Sequence, residues 1–195
     1  MNRRLIYVVG PSGAGKDSVL SWLRQHTPES APVHWARRTI DRLNSAEPGA
    51  EDHEHVDAVA FEQLVTDSAF AMHWDANTHR YGIRHAELMR LNDSSGCVMV
   101  SGSRAHLPSA ARDYPGLTVL HITATPEVLR RRLLARGRES EQAVEARMMR
   151  QIPLEIPLGC AWVEVHNNST LDEVGQQLLI QLGALGFWVD SLWQS

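Results

Sequence analysis

Cysteine is scarce in this sequence: Cys97 and Cys160 are the only two in 195 residues, far apart and each inside an apolar run. No CxxC pair or Cys/His array accompanies them, which argues against a disulfide framework and structural zinc. Long hydrophobic runs are missing as well. Basic residues precede an apolar run at the amino terminus, as in a signal peptide, but that run stops at Val9 after about five residues, too short for a signal core or a membrane span. Nor is there an excess of one charge, since 19 Lys plus Arg against 23 Asp plus Glu leave a net charge of −4. A protein that coats nucleic acid usually carries a strong basic surplus, so that class is disfavoured. Internal repeats, heptad arrays and low-complexity tracts are also absent. What remains, 43% apolar and 22% charged, is the composition of an ordinary soluble protein, and the short amino-terminal run makes a cytoplasmic location the expectation. Its length suits a single domain over residues 1–195 with a full core and room for a smaller subdomain.

Short apolar runs alternate with longer helical patterns, which predicts an α/β fold with a parallel sheet flanked by helices. Strands are expected at residues 5–9, 33–40, 97–101, 117–123 and 161–165. Helices are expected to start after the glycine turn at 10–13 and near 84–91, 126–135, 141–150 and 171–185. Residues 41–63 are rich in Glu, Asp, His, Ala and Gly with few apolar anchors, and read as an exposed loop or a mobile subdomain edge. The aromatic tail at 186–193 reads as packing against the domain or a subunit interface.

Gly10, Pro11, Ser12, Gly13, Ala14, Gly15 and Lys16 satisfy GxxxxGK directly after a strand and before a helix, the context in which that pattern cradles phosphates. Glycines let backbone N–H groups curl inward, the helix N-terminus favours an anion, and the Lys16 ammonium reaches the transferring phosphates. ATP with Mg2+ is the implied ligand. Where a Ser or Thr usually follows the lysine, this chain has Asp17 and then Ser18, and the best neighbouring strand runs into Ser101-Gly102-Ser103 without an acid. Two readings of Asp17 stand: a carboxylate ligand for magnesium supplied from within the loop, or a cap for the helix N-terminus.

Five arginines, Arg130, Arg131, Arg132, Arg136 and Arg138, fall in one predicted helix and the turn after it, and Arg147 follows on the next helix. Arg130 reads as solvated. Arg132 and Arg136 share a helix face, Gly137 permits a hinge, and Arg138 and Arg147 can converge from the far side of a lid at about 130–150. A second basic set, Arg37, Arg38 and Arg42, suits an anionic acceptor held by a subdomain at about 34–92. His73-Trp74-Asp75-Ala76-Asn77 with Tyr81-Gly82, placed between elements, reads as an acceptor pocket or a loop rim. Ser103 and Arg104 lie beyond a strand end, where α/β sheets bind ligands. His53-Glu54-His55 reads as a solvated stretch and not as a metal site.

With these motifs in order, the chain resembles the guanylate-kinase branch of the P-loop kinases over nearly its whole length. The segments 10–18, 101–108 and 136–139 look most like the ribose 1,5-bisphosphate phosphokinase family of the phosphonate-degradation pathway. That resemblance implies an ATP-dependent phosphotransferase converting ribose 1,5-bisphosphate to 5-phosphoribosyl 1-diphosphate (PRPP). Donor residues would be 10–18 and Arg138; Lys16, Asp17, Arg132, Arg136 and Arg147 would be catalytic, and Arg38, Arg42, Tyr81, Ser103 and Arg104 would hold the acceptor. Guanylate kinases carry a DxD-like strand end and a Ser or Thr after Tyr-Gly; this chain has Ser101-Gly102-Ser103 and Ile83, which leaves a guanine without partners. The alternatives are a nucleoside monophosphate kinase of guanylate-kinase type and a non-catalytic binding module.

Overall fold

A computed structural model describes residues 4–27, 31–42, 53–76, 78–92, 96–135, 137, 140–149 and 153–187. Its main body is a five-stranded parallel sheet of β1 (Leu5–Val9), β2 (Val33–Trp35), β7 (Cys97–Ser101), β8 (Thr118–Thr123) and β9 (Ala161–His166), in the order β2-β7-β1-β8-β9. Every residue of β1 is buried, because a central strand of a parallel sheet is covered on both faces; its unbroken apolar reading follows from that. One face packs on α1 (Lys16–His26) and α7 (Leu171–Ala184), through Val19, Leu23, Val174 and Leu178. The other face packs on α4 (Leu107–Asp113) and on a second, smaller sheet.

That second sheet has the order β4-β3-β6-β5, with β3 (Arg38–Ile40), β4 (His53–His55), β5 (Phe70–Ala76) and β6 (His79–Arg84). Its β5/β6 hairpin turns Met72 and Trp74 toward the main body and His73 and Asp75 away from it, and a register shift between Phe70 and Met72 puts the buried Phe70 on the opposite face, beside His73 and Phe61. Gly82 is required there, since a Cβ would lie 2.3 Å from the Phe70 ring. The single strand expected at 33–40 is therefore two strands in different sheets, broken at Ala36-Arg37, where the chain crosses from one sheet to the other. The expected loop at 41–63 is also corrected. It contains β4 and the start of α2 (Ala58–Thr66), which Asp57 caps by accepting from Ala60 N at 2.7 Å and which Phe61 anchors in the core. Residues 43–52 lie outside the described residues.

The expected helix near 84–91 is a short α3 (His85–Leu88) followed by a 3-10 turn at Met89–Asn92. Helices α5 (Pro126–Ala135) and α6 (Glu141–Met149) form a hairpin beside the glycine turn. Arg130 is not simply solvated. It pairs with Glu141 and Glu145 and ties α6 to α5. Phe187 at the start of the aromatic tail packs into the α1/α7 core, and residues 188–195 lie outside the described residues. Among the described residues no helix is long and apolar enough to cross a membrane.

Candidate active site

The glycine turn between β1 and α1 is built by close approach. A Cβ on Gly10 would sit 2.0 Å from the Ile122 carbonyl oxygen, and Gly13 and Gly15 adopt φ of 86° and 79°, which disfavours any side chain. Gly15 is the N-cap of α1 and brings no side-chain cap, so the positive end of the helix dipole at this loop favours an anion. Lys16 Nζ donates to the Gly10 carbonyl at 3.0 Å and folds back over the loop. Arg132 on α5 lies alongside, its Nη1 3.7 Å from where a Gly15 Cβ would stand.

Sequence reasoning missed the support beneath this loop. Asn167, buried just past β9, donates from Nδ2 to the Ala14 carbonyl at 2.9 Å, while its own N–H reaches the Thr123 carbonyl at 2.7 Å. Asn168 Oδ1 accepts from Thr125 N at 2.8 Å and joins the same strand ends. An asparagine pair at the carboxyl edge of a parallel sheet was the available signal.

The acceptor candidates come from the smaller sheet. Arg38, with only 11% of its side chain exposed, points Nη2 to within 3.8 Å of Asp17 Oδ1, and Asp17 is 53% exposed at the first turn of α1. The Arg38 guanidinium also lies 5.3 Å over the Tyr81 ring. Burial raises the Tyr81 pKa, against the opposing fields of Arg38 and Arg42. His53 belongs to the same group. Burial first, then the charges of Arg38, His55 and Arg42, push its pKa down to about 4 against the pull of Asp17, so it is neutral near pH 7. The stretch His53-Glu54-His55 is thus integrated into the sheet. Glu54 accepts from Arg84 Nη2 at 2.8 Å and from Thr39 Oγ1 at 2.5 Å, which hold its carboxyl below the ordinary range despite burial. The described residues contain no group of three or more His, Cys, Asp or Glu placed to hold a metal ion.

Ser103 lies beyond β7, and its N–H donates to the Tyr7 hydroxyl at 3.2 Å, which also meets His106 Nδ1 at 3.0 Å. The candidate acceptor residues do not lie between elements: His73, Trp74, Asp75 and Ala76 are on β5 and Tyr81 and Gly82 on β6, while Asn77 lies outside the described residues. The structure therefore brings Lys16, Asp17, Arg38, Tyr81 and Arg132 around the N-terminus of α1. Arg42 acts on the same groups through its charge, and Arg104 is half-buried in the turn after Ser103, where burial lowers its pKa. Arg147 sits on α6, and Arg136 and Arg138 lie outside the described residues.

No protein-family model matches the chain. Ribose 1,5-bisphosphate phosphokinase PhnN of Burkholderia mallei is 40% identical over 182 residues, 93% of this chain and 96% of that protein. The chain belongs to the ribose 1,5-bisphosphate phosphokinase family. Its Azotobacter vinelandii member is 41% identical over 179 residues, 92% of this chain and 95% of its own length. The fold is shared more widely: guanylate kinase from Anaplasma phagocytophilum superposes with a TM-score of 0.67 at 15% identity, covering 95% of this chain and 87% of that one. Family membership makes the chain a P-loop kinase that uses a nucleotide.

Proposed function

We propose that this chain transfers the γ-phosphoryl group of ATP to the 1-phosphate of ribose 1,5-bisphosphate, forming PRPP and ADP. The observation that carries the reading is the meeting of the Lys16 loop with Arg38 and Tyr81 at one helix N-terminus, with Ser101-Gly102-Ser103 where a guanine-reading acid would stand. The attacking group is a phosphate oxygen, which is ionised near neutral pH because the second pKa of a phosphate monoester is about 6. The new P–O bond forms at the γ-phosphorus as the bond to the β,γ-bridging oxygen breaks, and ADP leaves with that electron pair. No proton moves, so no general base is needed.

Catalysis then reduces to alignment and charge. The loop N–H groups and Lys16 hold the donor, Arg38 and Arg42 draw in the acceptor phosphates, and Arg132 lies where charge spreads over the transferred group. Arg136, Arg138 and Arg147 complete the lid, and Ser103 and Arg104 meet the sugar side. The donor set suits magnesium. Asp17 offers an exposed carboxylate, and Ser101 Oγ is buried without a hydrogen-bond partner on the α1 side of β7. Bound there, magnesium would neutralise charge on the donor phosphates. A cytoplasmic setting agrees with Cys97 and Cys160 being free thiols. Product identification by mass spectrometry after incubation with magnesium ATP, with ribose 1,5-bisphosphate in one tube and GMP in another, tests the reading. PRPP with little GDP is expected; GDP alone would make the protein a nucleoside monophosphate kinase.

A further inference from the structure

The smaller sheet meets the main body through a column of three rings. Trp74 on β5 stacks on Tyr81, its register partner on β6, with centroids 5.9 Å apart and planes at 14°. It also stacks on His106, from the turn before α4, at 5.2 Å and 24°. His106 is fixed in turn by Tyr7, which reaches it only because residue 102 is glycine; a Cβ there would lie 2.1 Å from the Tyr7 ring. Together with Arg38 over Tyr81 and Asp17 beside Arg38, these contacts close a circuit: Tyr7, the phosphate loop, Asp17, Arg38, Tyr81, Trp74, His106 and back to Tyr7.

What this circuit encloses decides which acceptor enters. Its cationic side, Arg38 and Arg42, serves any phosphorylated acceptor. Its aromatic side offers a nucleobase nothing, because the ring surfaces that would stack on a base are stacked on one another and Trp74 is only 7% exposed. We infer that Trp74, held between Tyr81 and His106, is a specificity-determining residue: it fills the space a nucleobase would need and restricts the acceptor to a phosphorylated sugar without a base. This rests on the functional reading above and adds its steric cause.

The experiment compares Trp74→Ala, Trp74→Leu and His106→Ala with the unaltered protein, using ribose 1,5-bisphosphate, GMP and AMP as acceptors. A folded Trp74→Ala protein should gain at least about tenfold in kcat/KM for GMP or AMP, the scale on which pocket volume discriminates. It should lose kcat/KM for ribose 1,5-bisphosphate, with KM for ATP unchanged. Trp74→Leu keeps an apolar side chain in the core and answers the same question if the alanine variant does not fold. A merely structural role would lower every activity without creating a new one. Variants that fold, bind ATP and gain on neither nucleotide overturn the inference while the sugar-phosphate reading stands. Ready GMP turnover by the unaltered protein overturns both. If the unaltered protein uses none of the three acceptors, that reading falls, and equilibrium dialysis of GMP and AMP against ADP-saturated protein decides the inference: tenfold tighter binding by Trp74→Ala supports it, and equal binding overturns it.

Discussion

Lys16 is the only lysine in the sequence; its ammonium lies on the phosphate loop, held by the Gly10 carbonyl at 3.0 Å. A single compact charge on a flexible stem can leave that carbonyl for a phosphate oxygen, whereas an arginine fork in so tight a loop could not follow it. Lys16→Ala should therefore cut turnover by at least about 10²-fold, the usual cost of one preorganised charge partner, with the thermal transition little changed. An amine-reactive reagent gives an independent check. ATP should protect the Lys16 peptide, and not the chain's amino terminus, from labelling read by mass spectrometry. Asp17 tests the metal question. Asp17→Asn and Asp17→Ser both remove the charge beside Arg38, and each should raise the magnesium concentration needed for half-maximal rate; an unchanged magnesium profile would leave Asp17 as a helix-terminal charge only. The pattern GxxxxGK carried this much at the level of sequence. Asn167 beneath the loop and His106 against Tyr7 could not be found that way, because each works through a contact more than 95 residues away in the chain.

At the scale of elements, what can be read from sequence follows from how many neighbours a segment needs. Strands β1 and β7 are buried on both faces and announce themselves as apolar runs, unbroken in β1 and ended by Ser101 in β7, while β8 keeps a buried Val119-Leu120 and Ile122 around a partly exposed His121. Strands β3 and β4 are three residues each and owe their conformation to pairing with β6 and with each other, so Arg38-Thr39-Ile40 and His53-Glu54-His55 carry no periodicity of their own. A glycine inside α7 looks like a weakness in a helix. In the structure it is the contact point of two helices: a Cβ on Gly175 would lie 2.1 Å from the Trp22 ring, and Trp22 Nε1 donates to Asp172 at 2.6 Å. The intrinsic gain of alanine over glycine, about 0.8–1 kcal/mol, is smaller than overpacking of a ring at this distance. Gly175→Ala should lower stability by about 1–3 kcal/mol, seen as an earlier midpoint in denaturant.

Across the whole molecule, two sheets converge on one helix terminus, and the groups they bring together shift each other's titration. His53 is the clearest case, with its pKa down at about 4 from an ordinary 6.5 because burial and the charges of Arg38, His55 and Arg42 outweigh the pull of Asp17. The unfolded chain binds a proton at His53 more readily than the folded one, so this contribution to stability is complete above pH 6.5 and is lost as pH falls from there through about 4. His53→Asn should flatten the stability profile across that window in denaturant titrations. Acceptor binding should reverse the balance. A phosphate placed between Arg38 and Arg42 leaves the burial of His53 in place but offsets the part of the shift that their charges supply, so it raises the His53 pKa and draws in a fraction of a proton below about pH 6. Calorimetry of ribose 1,5-bisphosphate binding in buffers of different ionisation enthalpy counts that proton directly. The titrating phosphate contributes to both proteins, so the measured quantity is the difference between the unaltered protein and His53→Asn. Greater proton uptake by the unaltered protein would place the acceptor phosphate within the electrostatic reach of His53, on the Arg38 side of the cleft; equal uptake would put the phosphate elsewhere.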